Sequence, residues 1–200
     1  MKNAITLFLL VLTVTGIKAQ TGREVDLDSA QLETFKEQAV RTVKDLGIHI
    51  GKMVDPKLKA LPELQSSNID YTVKLFASEK NVVEVTSIDN SAKPLVYRRP
   101  IRVYFTRLSS LPYKSVNLSW YDIYISSTFK KGDDNKYYGT ASFCQTFDAT
   151  MGFESQPWKI HDHTCKNIQI IIEQDEVKQG FDTVTRWVLK LGDIKVTDSK

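Results

Sequence analysis

The sequence predicts an α+β fold in which helices from the N-terminal half pack on one side of a mostly antiparallel sheet. Three observations carry this. Residues 26–46 show a clean helical repeat, a second short repeat follows Arg99-Pro100, and after Pro112 four long β-rich segments are separated only by polar turns.

In the first helix, Leu32, Phe35, Ala39, Val43 and Leu46 recur at three- and four-residue intervals while Glu33, Lys36, Glu37, Arg41 and Lys44 face away. Asp28 or Ser29 is placed to cap it, Gln31 completes a capping box with Asp28, and Gly47 is the expected left-handed stop. Pro56 and Pro62 then limit any helix in 48–67 to short pieces that wrap the core rather than form it. Ile69 to Ala77 and Val82 to Ile88 are rich in β-branched residues, and Ser78-Glu79-Lys80-Asn81 reads as the turn of a hairpin between them. Behind Pro100, Ile101, Tyr104, Phe105 and Leu108 give a short helix that ends before Pro112.

The predicted strands are Val116 to Phe129, Tyr137 to Ala149, Lys159 to Gln174 and Thr183 to Val196, joined as a meander with turns at 130–135 and at Gly180. Trp187, Leu189 and Leu191 share one face of the last strand. In the first, the apolar side changes phase between Val116-Leu118-Trp120 and Tyr121-Ile123-Ile125. A bulge near Trp120 reconciles the two halves, as would a strand buried on both faces.

The chain has 200 residues, with 27 Lys plus Arg against 24 Asp plus Glu. A formal charge of +3, with no Lys/Arg run longer than two, excludes nucleic acid as a partner expected from composition. Met1-Lys2-Asn3, the apolar run Ala4 to Val14 and the small residues up to Ala19 have the layout of a signal peptide, with cleavage expected after Ala19. The run is shorter than the ~20 apolar residues of a membrane span. Residues 1–19 are therefore the expected signal peptide and 20–200 a single exported domain, periplasmic or secreted, with no membrane span in the mature chain.

Four strings, Arg99-Pro100-Ile101-Arg102-Val103-Tyr104-Phe105, Leu118-Ser119-Trp120-Tyr121-Asp122-Ile123, Lys136-Tyr137-Tyr138-Gly139-Thr140-Ala141-Ser142-Phe143 and Trp187-Val188-Leu189-Lys190-Leu191-Gly192-Asp193-Ile194, carry a resemblance. Together with the element order, they resemble the cone-shaped NTF2-like fold, also called SnoaL-like (cystatin-like), of nuclear transport factor 2 and ketosteroid isomerase. They also resemble exported uncharacterised proteins of Bacteroidetes-type bacteria. The resemblance spans about Leu27 to Val196 and implies a curved sheet forming an apolar cone. Members of that superfamily include isomerases, dehydratases and cyclases as well as noncatalytic binding modules, so the fold alone leaves function open.

Chemistry-bearing residues are few, with 2 Cys and 3 His in the chain. His161, His163 and Cys165 would share one face of a strand, a set that could ligate zinc with Cys144 or Asp148 as a fourth donor. Same-face neighbours on a strand are ~7 Å apart and converge poorly on one ion. Alternatively, Cys144 and Cys165 lie on successive predicted antiparallel strands and form a disulfide in an oxidising compartment, worth about 3 kcal/mol on chain-entropy grounds; two buried free thiols are the other reading. Asp122 beside Tyr121 and Tyr124, Tyr138, and the group Asp162, His161 and His163 are the candidates for acid/base work. Arg98, Arg99, Arg102 and Arg107 offer an anion-facing patch or a solvated helix face. No phosphate loop, H-E-x-x-H, G-x-S-x-G or C-x-x-C occurs, and no cofactor is expected.

Three functions follow as expectations. The first is a noncatalytic domain that binds a small apolar molecule or a protein partner. The second is an isomerase- or dehydratase-like enzyme with Asp122, His161 or His163 as base. The third is a structural homodimer joined through the open face of the sheet.

Overall fold

Helix α1 (Ser29–Val54) begins where the capping signal places it: Asp28 Oδ1 accepts from Gln31 N at 2.8 Å and Asp28 N donates to Gln31 Oε1 at 2.9 Å. The structure, a computed structural model, describes residues 26–86, 95–153, 156–179 and 182–199. The expected signal peptide, the turn at Gly180 and residues 87 and 88 of the expected second strand lie outside them.

Gly47 does not stop α1. The helix continues through it and buries Ile50, Met53 and Val54, ending at Asp55-Pro56. Glycine is needed there because a Cβ would stand 2.8 Å from Cδ2 of Trp120 on the sheet, so the residue sets helix-to-sheet distance rather than helix length. The stretch expected only to wrap the core therefore contributes to it. Both prolines sit at the first positions of new helices, α2 (Pro56–Lys59) and α3 (Pro62–Val73), where their missing N–H costs nothing.

The expected strand from Ile69 to Ala77 is likewise corrected. Gln65, Ile69, Thr72 and Val73 are buried on one side of α3, so helical spacing outweighs β-branched content. The chain leaves the helix at Leu75, where Leu191 N donates to Leu75 O and Ala77 N donates to Leu191 O, both at 2.8 Å. The turn at 78–81 is present, closed by Asn81 N to Ser78 O. It leads into β1 (Val82–Thr86), whose antiparallel partner is β2 (Val96–Pro100) and not the segment before the turn. Helix α4 (Ile101–Ser110) follows at once and buries Ile101, Phe105 and Leu108 as the sequence predicts, with Pro100 as its N-cap.

The remaining strands are β3 (Tyr113–Ile125), β4 (Lys130–Lys131), β5 (Tyr137–Phe153), β6 (Gln156–Gln179) and β7 (Asp182–Ser199). Strands β3, β5, β6 and β7 form the expected antiparallel meander, β4 pairs beside β5, and the sheet order is β2-β1-β7-β6-β5-β3. Strand β1 joins β7 in parallel, making the topology mixed.

The α+β class stands, but the cone-shaped NTF2-like architecture does not. Strands β2 and β3 are the two edges and do not pair with each other, so the sheet is open and neither closed nor strongly curled. The physical reason lies at its centre. Strands β5 and β6 keep one register from Tyr137↔Ile172 to Phe153↔Gln156, with none of the bulges that bend long strands into a cone.

Bulges occur to either side. On β3 the register shifts between Tyr121 and Tyr124, and Asp122 takes a positive φ of 51°. Trp120 and Ile123 consequently both pack against the core, the phase change read from the sequence. On β7, Ile170 faces Leu191 while Ile168 faces Ile194, so two residues, Gly192 and Asp193, stand opposite one, Gln169. This bulge keeps Leu189, Leu191 and Ile194 all buried, and it frees Asp193 Oδ1 to accept from Val82 N (2.8 Å) and Asn81 Nδ2 (3.1 Å) on the incoming β1 edge. Glu84 Oε2 accepts from Val196 N at 3.0 Å a little further on.

The main core is built from Leu46 and Met53 of α1, Phe105 of α4, and Phe143, Ile168, Ile170 and Leu191 of the sheet, and a smaller cluster of Leu27, Tyr137 and Ile172 lies beside it. Among the described residues no helix is long and apolar enough to cross a membrane.

Candidate functional site

Alternation along β5 and β6 decides which side chains meet the helices. Phe143, Gln145, Phe147 and Ala149 of β5 lie opposite Lys166, Thr164, Asp162 and Ile160 of β6, and these rungs face the helical side. The intervening rungs, Cys144↔Cys165, Thr146↔His163 and Asp148↔His161, face the other way. The site is assembled on the first set.

Where α4 leans over this part of the sheet, a cavity of about 370 Å³ remains. Its walls are apolar at Val85, Leu108, Leu111, Phe147, Met151 and Ile160, and aromatic at Tyr97, Tyr104 and Tyr113. Strand β2 contributes Tyr97 and Arg99 because they pair with Val85 and Val83, whose side chains point inward, while Arg98 is turned outward to Glu84. Arg107 enters from α4. The volume lies near the lower end of the ~300–1,000 Å³ typical of small-molecule sites.

Lys166 is the decisive residue. It is 5% exposed, the only charged side chain among the buried described residues, and it lines the cavity. Its ammonium makes no hydrogen bond or ion pair among the described residues. Burial pushes its pKa down to about 8, opposed in part by the charge of Asp162. Asp162 stands four residues away on the same strand, ~13 Å along the backbone, and accepts from Thr164 Oγ1 at 2.8 Å. Burial, with smaller contributions from Tyr113 and Asp162, raises the Tyr104 pKa and keeps its phenol protonated; burial also raises Tyr113. Among the described residues the cavity lining therefore carries three cations, Lys166, Arg99 and Arg107, against the single carboxylate of Asp162.

The residues singled out from the sequence are distributed differently. Cys144 and Cys165 are paired at disulfide distance, 21 residues apart in sequence. His161 Nδ1 donates to Asp148 Oδ1 at 2.6 Å, and His163 Nε2 is hydrogen-bonded to the Tyr121 hydroxyl. These groups share the outer face, as period-2 alternation predicts, but Cys165 is committed to Cys144 and each imidazole to its own neighbour. Among the described residues no three His, Cys, Asp or Glu side chains are grouped to hold a metal. Asp122 is exposed at the bulge, and Asp122, His161 and His163 are absent from the cavity lining. Of the arginine set, Arg102 is held by Asp70 (2.7 Å) and Glu79 (2.8 Å), which raise its pKa. Arg99 and Arg107 are the two that reach the cavity.

Lys166 escaped the sequence reading although a signal existed. Ile168, Ile170 and Ile172 mark the buried face of that strand, and counting back by two from Ile168 puts Lys166, Thr164 and Asp162 on the same face. A lysine in phase with three isoleucines is the anomaly.

No family model matches this chain, and neither a curated protein nor a solved structure matches it.

Proposed function

We propose that the mature chain, exported behind the segment ending at Ala19, is a noncatalytic binding module that takes one small, largely apolar molecule into the cavity under α4. The observation that carries this reading is the cavity itself, about 370 Å³, with aliphatic and aromatic side chains over much of its wall and its charged groups limited, among the described residues, to Lys166, Arg99, Arg107 and Asp162. Of the acid/base candidates, Asp122, His161 and His163 lie outside it and only Asp162 lines it, apart from both histidines, which favours binding over catalysis. The open face of the sheet carries Thr140, Ser142, Thr146, Asp148 and Asn167 around the histidines, with Tyr121 and Tyr124 exposed on its β3 edge, so it is mainly polar.

A neutral apolar dye such as Nile red tests the reading. It is expected to bind with one-to-one stoichiometry, and Met151→Trp, which fills the cavity from its wall, is expected to abolish binding with the circular dichroism unchanged. No dye binding by the native protein, or binding untouched by Met151→Trp, refutes it.

A further inference from the structure

Resting on that reading, we propose that the ligand is an amphipathic organic anion, an apolar aliphatic or aryl body ending in a carboxylate, whose acid group is received by Lys166. A buried ammonium without a partner costs several kcal/mol in an apolar setting and is retained where an opposite charge completes it. Lys166 makes no ion pair or hydrogen bond of its own among the described residues. Asp162, the one acidic group among the described lining residues, makes no ion pair with it and accepts from Thr164 Oγ1, so its charge offsets the burial of the ammonium only in part.

The other groups on the cavity wall agree with an anion. Arg99 on β2 and Arg107 on α4 are the more accessible cations, placed to draw an acid inward, and neither makes an ion pair among the described residues. The Tyr104 phenol faces the same space and stays a donor, since burial keeps it protonated. Val85, Leu108, Leu111, Met151 and Ile160 then accept the hydrocarbon body. Burial shifts Tyr104 and Tyr113 upward and brings the Lys166 ammonium down toward neutrality; Arg99, Arg107, Tyr97 and Asp162 complete the facing set.

Calorimetry with two matched pairs tests this: decanoate against decanol, and 4-phenylbutyrate against 4-phenylbutanol. At pH 7 at least one carboxylate is expected to bind about tenfold or more tightly than its alcohol. The preference is expected to vanish in Lys166→Met, whose fold is checked by circular dichroism and urea unfolding, and to shrink between pH 7 and pH 9.5. Equal affinity within both pairs, a preference that survives in Lys166→Met, or a dye-binding protein that takes neither member of either pair overturns the anion assignment and leaves the cavity reading standing. Loss of dye and carboxylate binding together in the native protein overturns both.

Discussion

Gly47 of α1 lies directly against the indole of Trp120, which itself stacks on Phe143 with ring centroids 4.3 Å apart and planes 7° from parallel. Helix, edge strand and sheet centre are thus in contact through three residues. Gly47→Ala gains ~1 kcal/mol of helix propensity but places a methyl 2.8 Å from a ring with no room to retreat, so a net loss of about 1–3 kcal/mol is expected in urea unfolding. Gly51→Ala, in the same helix with open space around the new Cβ, is expected to gain about 0.5–1 kcal/mol. If both alanines stabilise equally, the close approach at Trp120 is not what selects glycine.

Lys166→Met removes a buried charge from the native state and is expected to stabilise the unliganded protein by about 1–4 kcal/mol at pH 7. The pH dependence follows from the depressed pKa. Below about 8 the amine is protonated in both native and unfolded chains, and its burial cost is constant. Between about 8 and the ordinary lysine value of 10.5 the native state binds fewer protons than the unfolded one, so native stability rises with pH relative to the variant. Tyr104 and Tyr113 act in the opposite direction above ~pH 10, but they are common to both proteins and cancel in the difference. Paired urea titrations at pH 7 and 9.5 are expected to show the gap narrowing; a constant gap contradicts the buried, depressed amine.

Thiol titration of protein isolated under oxidising conditions is expected to find no free thiol. Replacing both cysteines, Cys144→Ala with Cys165→Ala, is expected to cost about 2–4 kcal/mol, read as a lowered midpoint in guanidinium unfolding. Two titratable thiols in the native protein contradict the pairing.

Substitutions on the outer face should leave the cavity alone. His161→Ala, His163→Ala and Asp122→Ala each remove exposed or half-exposed groups outside the cavity, so Nile red binding is expected to change less than twofold and stability by no more than about 1 kcal/mol. A large loss of binding in any of them would move the functional site to the other side of the sheet.

What the sequence disclosed and what it withheld divide along physical lines. Short-range signals were legible: the Asp28–Gln31 box, the Pro100 helix, the four-strand meander, the bulge after Trp120 and the Cys144–Cys165 rung all rest on local spacing or period-2 alternation. Gly47 misled because a glycine that ends a helix and one that lets a tryptophan approach look identical until the partner is known. The β-branched residues around Ile69 pulled the reading toward a strand, although Ile69, Thr72, Val73 and Phe76 keep helical spacing and are buried. Sheet shape was misjudged because curvature depends on whether β5 and β6 carry bulges, a property of their pairing rather than of either strand. Histidine and cysteine show their chemistry by residue type alone, while the buried lysine shows only as a phase relation to Ile168, Ile170 and Ile172.

The disulfide and the binding cation occupy adjacent rungs of one ladder, since Cys144↔Cys165 is followed by Phe143↔Lys166 with the side chains on opposite faces. The covalent tie on the outer face therefore clamps the backbone that aims Lys166 inward on the other. With the disulfide reduced, the floor of the cavity rests on strand pairing alone; with it formed, the rung beside Lys166 is covalently fixed.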